Sequence, residues 1–133
     1  SARSMSGAAQ YLLALYIVEQ RRDPPVSSGD VATLVGRSQA TATQMLQGLE
    51  SDGLATYEPY EGAALTEAGR DRAASLHETY VTLSWFFRSV LDLEEYEAEA
   101  MEMAGLIDPE VAERLTTLLP YSRESSTAPV EDG

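Results

Sequence analysis

Between Ser27 and Gly69 the chain runs through two stretches of helical hydrophobic spacing and then an alternating one, and a glycine stands at each boundary. Val31, Leu34 and Val35 recur at helical spacing after a pair of serines, of which Ser28 is the predicted N-cap. Gly36 then offers a tight exit that a residue with a Cβ would resist. Ser38 opens a second helix, in which Ala42, Met45, Leu46 and Leu49 form an inward stripe and Ser38, Gln39, Thr41, Gln44 and Gln47 are left outside. Gly53 ends that helix. The runs 54–58 and 63–66 then flank Pro59, Tyr60, Glu61 and Gly62, whose composition suits a turn between paired strands.

Helix, turn, helix and hairpin in this order predict a winged helix-turn-helix, an arrangement that lays its second helix in the major groove of DNA. The outward residues of that helix are short, uncharged and able to hydrogen-bond, which suits base edges better than phosphates. Arg37 at its start, with Arg21 and Arg22 after the first helix, are the expected phosphate anchors, and Tyr60 is the expected contact from the wing.

The remainder is helical by pattern. A first helix is expected over about 7–20, broken by Asp23, Pro24 and Pro25, while Ser1–Ser4 before Met5 read as an addition outside the fold. Thr66 and Glu67 open a long helix to about Leu91 that ends rich in large apolar residues: Tyr80, Leu83, Trp85, Phe86, Phe87, Val90 and Leu91. A helix apolar all round needs burial on two sides, so this stretch is expected to pack on the core with one face and on a second subunit with the other. Leu83, Phe86, Phe87, Val90 and, further on, Leu106 are the expected dimer contacts. Another helix is expected over about 94–106. Asp108 and Pro109 then cap and start a last one, with Val111, Leu115 and Leu118 as its stripe. The predicted organisation is therefore a mainly α chain: a DNA-binding domain over 5–72, a helical dimerisation module over 73–119 that could also sense metal, and a disordered Ser-, Pro- and acid-rich tail over 120–133.

Composition narrows the function. The chain has no cysteine and one histidine, which removes zinc-thiolate sites and leaves little for a catalytic triad, and no phosphate-binding loop is visible, so an enzyme is not expected. Its longest apolar run, 11–18, is too short to span a bilayer, and a cytoplasmic protein is expected. The net charge of −13 is unusual for a DNA binder, and all nine basic residues are Arg. Such a surface fits a very salty cytoplasm and points to a halophilic archaeon, in which phosphate attraction is screened and base readout carries more of the affinity. The acid is also placed away from the reading helix: residues 73–119 hold ten acidic residues against two Arg, whereas 1–27 hold three Arg against two acids.

The segment 53–70, GLATYEPYEGAALTEAGR, closely resembles the wing and exit helix of the DtxR/MntR family of metal-dependent repressors. The resemblance runs from Gln10, Tyr11 and Leu12 to about Leu118 and includes Asp108, Pro109, Glu110 and Val111 at the start of the last helix. It implies a homodimer that reads an inverted repeat in double-stranded DNA, with Ser38, Ala40, Thr41 and Gln44 facing bases and Arg37 beside them. Longer relatives carry an SH3-like third domain, which the resemblance does not lead one to expect within these residues.

The resemblance also implies Mn²⁺ or Fe²⁺ as cofactor, but the carried-over ligand positions are depleted. They fall on Gln10, Leu13, Tyr80, Ser84, Met101, Ala104 and Gly105. Gln10, His77, Glu97 and Met101 are the remaining candidates for a metal, while His77 reads first as a solvated or capping residue and the run Glu94, Glu95, Glu97, Glu99 and Glu102 as halophilic surface. Two alternatives to a metal-responsive repressor stay open: a winged-helix repressor with another trigger and no metal, and a winged-helix adaptor that binds protein rather than DNA.

Overall fold

The computed structural model describes residues 2–119, with side chains from Gly7 onward; the predicted tail lies outside the described residues. In chain order it has α1 (Ala2–Glu19), α2 (Ser28–Val35), α3 (Gln39–Ser51), β1 (Ala55–Glu58), β2 (Gly62–Leu65), α4 (Glu67–Ser89), α5 (Tyr96–Ala104) and α6 (Pro109–Thr116). The fold is thus mainly α with a small antiparallel hairpin, as the sequence predicts. α1 begins at Ala2, so residues 2–4, expected to precede the fold, belong to its first helix.

Two hydrophobic clusters share α1 as their spine. Leu12, Leu15 and Val18 face the first, with Val31 of α2, Ala42, Leu46 and Leu49 of α3, Ala55 and Leu65 of the hairpin and Ala73 of α4. Leu13 and Ile17 face the second, with Leu83 of α4 and Ala100, Met101 and Ala104 of α5. A helix buried on both sides has to be apolar nearly all round, which is what residues 11–18 supply.

Local chemistry sets the element ends. Ser27, not Ser28, caps α2: its hydroxyl accepts from the Asp30 amide at 3.0 Å. Ser28 is instead the first helical residue and is buried, where its hydroxyl accepts from Thr43 Oγ1 at 3.1 Å and from Gln39 Nε2 at 3.4 Å and so ties α2 to α3. Gly36 ends α2 at φ 81°.

The hairpin pairs Ala55 with Leu65 through Glu58 with Gly62, so Gly62 belongs to the strand and the loop is Pro59, Tyr60 and Glu61. Val26 adds an isolated antiparallel bridge on the other side of β2, with two 2.8 Å hydrogen bonds to Ala63. Gly62 is required there, because a Cβ would sit on the Val26 carbonyl.

α4 starts where three segments meet. The Thr66 hydroxyl accepts from the Gly69 amide at 3.1 Å and donates to the Gly53 carbonyl at 2.8 Å, and a Cβ on Gly69 would collide with the Leu54 carbonyl. Helix ends after it differ from expectation by about two residues. α4 stops at Ser89 because Asp92 takes a left-handed conformation (φ 58°) that lets the Leu93 amide return to the Phe87 carbonyl at 2.8 Å. α5 is confined to 96–104. α6 starts as predicted, with Asp108 as cap and Pro109 in the first turn, but ends at Thr116.

Candidate nucleic-acid interface

The outer side of α3 is set by its inner side. Once Ala42, Leu46 and Leu49 are buried, Gln39, Ala40, Gln44 and Gln47 have to face solvent, and all four are exposed; Thr41 is half-buried. Arg37 and Ser38 precede them, exposed. Two of these side chains already have protein partners. The Ser38 hydroxyl caps α3 by accepting from the Thr41 amide at 3.1 Å and donates to Thr41 Oγ1 at 2.9 Å, and Gln39 reaches back to Ser28. Ala40, Gln44 and Gln47 carry the open part of the face.

The wing ends in Tyr60, fully exposed and held at φ 70°. A left-handed backbone at a bulky residue costs roughly 1 kcal/mol and persists where the surrounding turn dictates it. Here the Glu61 amide closes the turn onto the Glu58 carbonyl at 3.1 Å, which projects the tyrosine ring from the tip.

The two other expected anchors turn elsewhere. Arg22 pairs with Asp30 of α2 at 3.3 Å, and Arg21 lines a cleft with Glu94, Glu95 and Glu97. Arg37 lies close enough to Tyr11 for its charge to oppose the rise that burial causes in the pKa of that hydroxyl.

One residue that pattern reading missed holds the head together. Glu19 at the end of α1 has a side chain only 6% exposed; it accepts from the Leu65 amide at 2.7 Å and meets Arg70 at 3.4 Å. It thereby ties α1 to the wing and to α4. In the sequence, Glu19 is one of 22 acidic residues, and only the pairing of distant segments sets it apart.

Three of the four candidate metal residues meet. Gln10, Glu97 and Met101 line a cleft of about 290 Å³ between α1, α4 and α5, with Tyr80. Burial, and next the charge of Glu97, raise the pKa of the Tyr80 hydroxyl. His77 stands apart: its ring packs between Tyr16 at 5.3 Å and Tyr80 at 5.8 Å, and burial lowers its pKa against the opposing pull of Glu78. The donors in the cleft are thus one amide, one thioether, one phenol and exposed carboxylates at the rim. Mn²⁺ and Fe²⁺ ask for several hard oxygen or imidazole donors converging on one point, and no group of three His, Cys, Asp or Glu is so placed among the described residues. This set does not fit such an ion.

The expected dimer contacts divide. Leu83 is 4% exposed inside the second cluster and so belongs to the protomer core, a correction that follows from α5 packing over that side of α4. Phe86 and Phe87 are half-buried, Phe87 against the same cluster, and Val90 and Leu106 are exposed. Leu91, Val111 and Leu118 extend the exposed apolar surface. No described helix is long and apolar enough to cross a membrane.

Comparison with known proteins places this geometry. The family model of the iron dependent repressor N-terminal DNA binding domain matches residues 5–63. In solved structures, the manganese regulator SloR superimposes with a TM-score of 0.71 at 22% identity, over 86% of this chain and 54% of that one. A manganese-dependent transcriptional repressor in complex with manganese gives 0.70 at 22%, over 83% and 51%. The chain spans about half the length of these structures, and at such identity they speak for the fold. An uncharacterised HTH-type transcriptional regulator of Methanocaldococcus jannaschii is 30% identical over 107 residues, 79% of this chain and 86% of that protein. With a relative this similar along most of its length, the chain belongs to the DtxR/MntR family of iron-dependent-repressor-like transcriptional regulators.

Proposed function

We propose that this regulator is a homodimer that reads an inverted-repeat operator in double-stranded DNA through α3 and the wing, represses genes of iron or manganese homeostasis, and works in the cytoplasm. The observation that carries the reading is the open outer side of α3, where Ala40, Gln44 and Gln47 are exposed. Side chains of this length and polarity on a helix offered by a winged scaffold suit base edges in a major groove. The exposed Val90, Leu91 and Leu106 support pairing of two copies, since large apolar side chains left in solvent are candidates for a contact surface. Descriptions of relatives that name iron and manganese support the regulatory theme.

Enrichment from a random duplex pool tests the reading. The expected product is a palindromic pair of half-sites about one helical turn apart, bound by two chains. Recovery of no enriched sequence would favour the protein-binding adaptor, the reading to which the −13 charge lends weight. Because the readers are neutral, affinity for the selected duplex should fall less than a thousandfold between moderate and molar KCl, unlike that of a binder resting on many phosphate contacts.

A further inference from the structure

Resting on the DNA-binding reading, the second cluster carries a further step. Leu13 of α1 is 1% exposed, Met101 and Ala104 of α5 are 5% and 3% exposed, and all three pack in one cluster with Ile17 and Leu83. These are three of the positions onto which the family resemblance carries metal ligands. Where a divalent ion would need charged donors drawn from α1 and α5, this chain places a leucine, a thioether and a methyl group in van der Waals packing. Of the other polar groups lining the cleft, Gln10 and Tyr80 are neutral, Arg21 is itself a cation, and the carboxylates stand at the exposed rim.

We propose that apolar packing of Leu13 against Met101 and Ala104 replaces the metal clamp between the head and the helical module, so that the head is held in its DNA-binding arrangement without Mn²⁺ or Fe²⁺. Burial of apolar surface is non-directional and needs no ligand, so a joint made this way is closed whenever the chain is folded. An ion that makes no differential contact with two arrangements of a protein cannot shift their balance. The regulator is then deaf to metal at this site, and its DNA occupancy follows its own concentration.

The test uses the full chain stripped with EDTA and then given Mn²⁺, anaerobic Fe²⁺ or Zn²⁺. Calorimetric titration should register no specific binding heat, and the melting temperature should stay the same with each ion, because only a ligand that binds the folded state raises it. Affinity for the selected duplex should change less than about fivefold on adding metal, the lower end of ordinary allosteric coupling. Stoichiometric heat with a rise in melting temperature, or a larger gain in affinity, would overturn the proposal. Met101→Leu separates packing from ligation: it keeps volume while removing the sulfur, so duplex affinity should be retained. Met101→Ala opens the joint, and affinity should drop more than about fivefold with no rescue by metal. Loss of affinity in Met101→Leu, or full affinity in Met101→Ala, would equally sink it. Titration heat and melting are read without DNA, so failure to bind any duplex would strike the DNA-binding reading alone.

Discussion

The two hydrophobic clusters on either side of α1 are finished to different degrees. The first is closed by polar ties at its margins: Glu19 to the wing, Thr66 to the Gly53 carbonyl and Thr43 to Ser28. Its one large exposed ring is Tyr60, projected from the wing tip. The second has six buried residues, and the helices around it leave Val90, Leu91, Leu106, Val111 and Leu118 in solvent. α6 contributes no buried residue at all. A head with its margins tied can present a fixed reading surface, whereas the helical module, with apolar side chains left in solvent among the described residues, is the part that the proposed homodimer would pair.

Substitutions should expose that difference. Leu46→Ala removes a fully buried side chain from the closed cluster and should destabilise the protein by about 2–5 kcal/mol in urea unfolding. Should it be tolerated at under about 1 kcal/mol, the head would be less tightly packed than its burial says. Glu19→Ala strips one margin tie and leaves the Leu65 amide without its carboxylate, for an expected loss of about 2 kcal/mol. The part of this that comes from the ion pair with Arg70 is small, because that partner is half exposed.

Leu106→Asp touches only the open surface. Its effect on unfolding of the single chain should lie within about 0.5 kcal/mol, yet sedimentation should show dimers giving way to monomers. A variant that stays dimeric would move the interface elsewhere on the open surface.

The smallest effect is the pH response of His77. Burial holds its pKa below the ordinary value of 6.5, so the unfolded chain takes up the proton more readily than the folded one. The stability this gives is complete above pH 6.5 and declines as pH falls below it, and His77→Gln should flatten that part of the profile in thermal melts. Tyr16, Tyr80 and Glu78 face or flank the ring, and of these Glu78 pulls the other way, which keeps the slope shallow.

The head was legible in the sequence because its signals are local. A stripe at helical spacing, a serine before it and a glycine after it are read within one turn, and α3 and Gly36 stand where those rules put them, as does the Asp108–Pro109 start in the helical module. The slip at the start of α2, Ser28 for Ser27, arose because adjacent serines can both cap and only the buried one has partners on α3 to choose it. What was illegible depends on segments far apart in the chain. The Val26 bridge requires knowing that β2 passes beside it, and Glu19 finds its amide 46 residues away. Leu83 could not be sorted from Val90 by composition, because both lie on an apolar stretch and the placement of α5 decides which is covered. The depleted ligand positions were visible as missing residue types, but that Leu13, Met101 and Ala104 fill one cluster required the fold.

Binding of variants to the selected duplex, with each base pair of a half-site changed in turn, tests the base-reading claim most directly. Gln44→Ala should lose discrimination at one position by about 1–3 kcal/mol and bind the altered duplexes nearly as well as the original, while Arg37→Ala should weaken all duplexes alike. If Gln44→Ala kept the full preference of the parent protein at every position, α3 would not be the element that reads the bases.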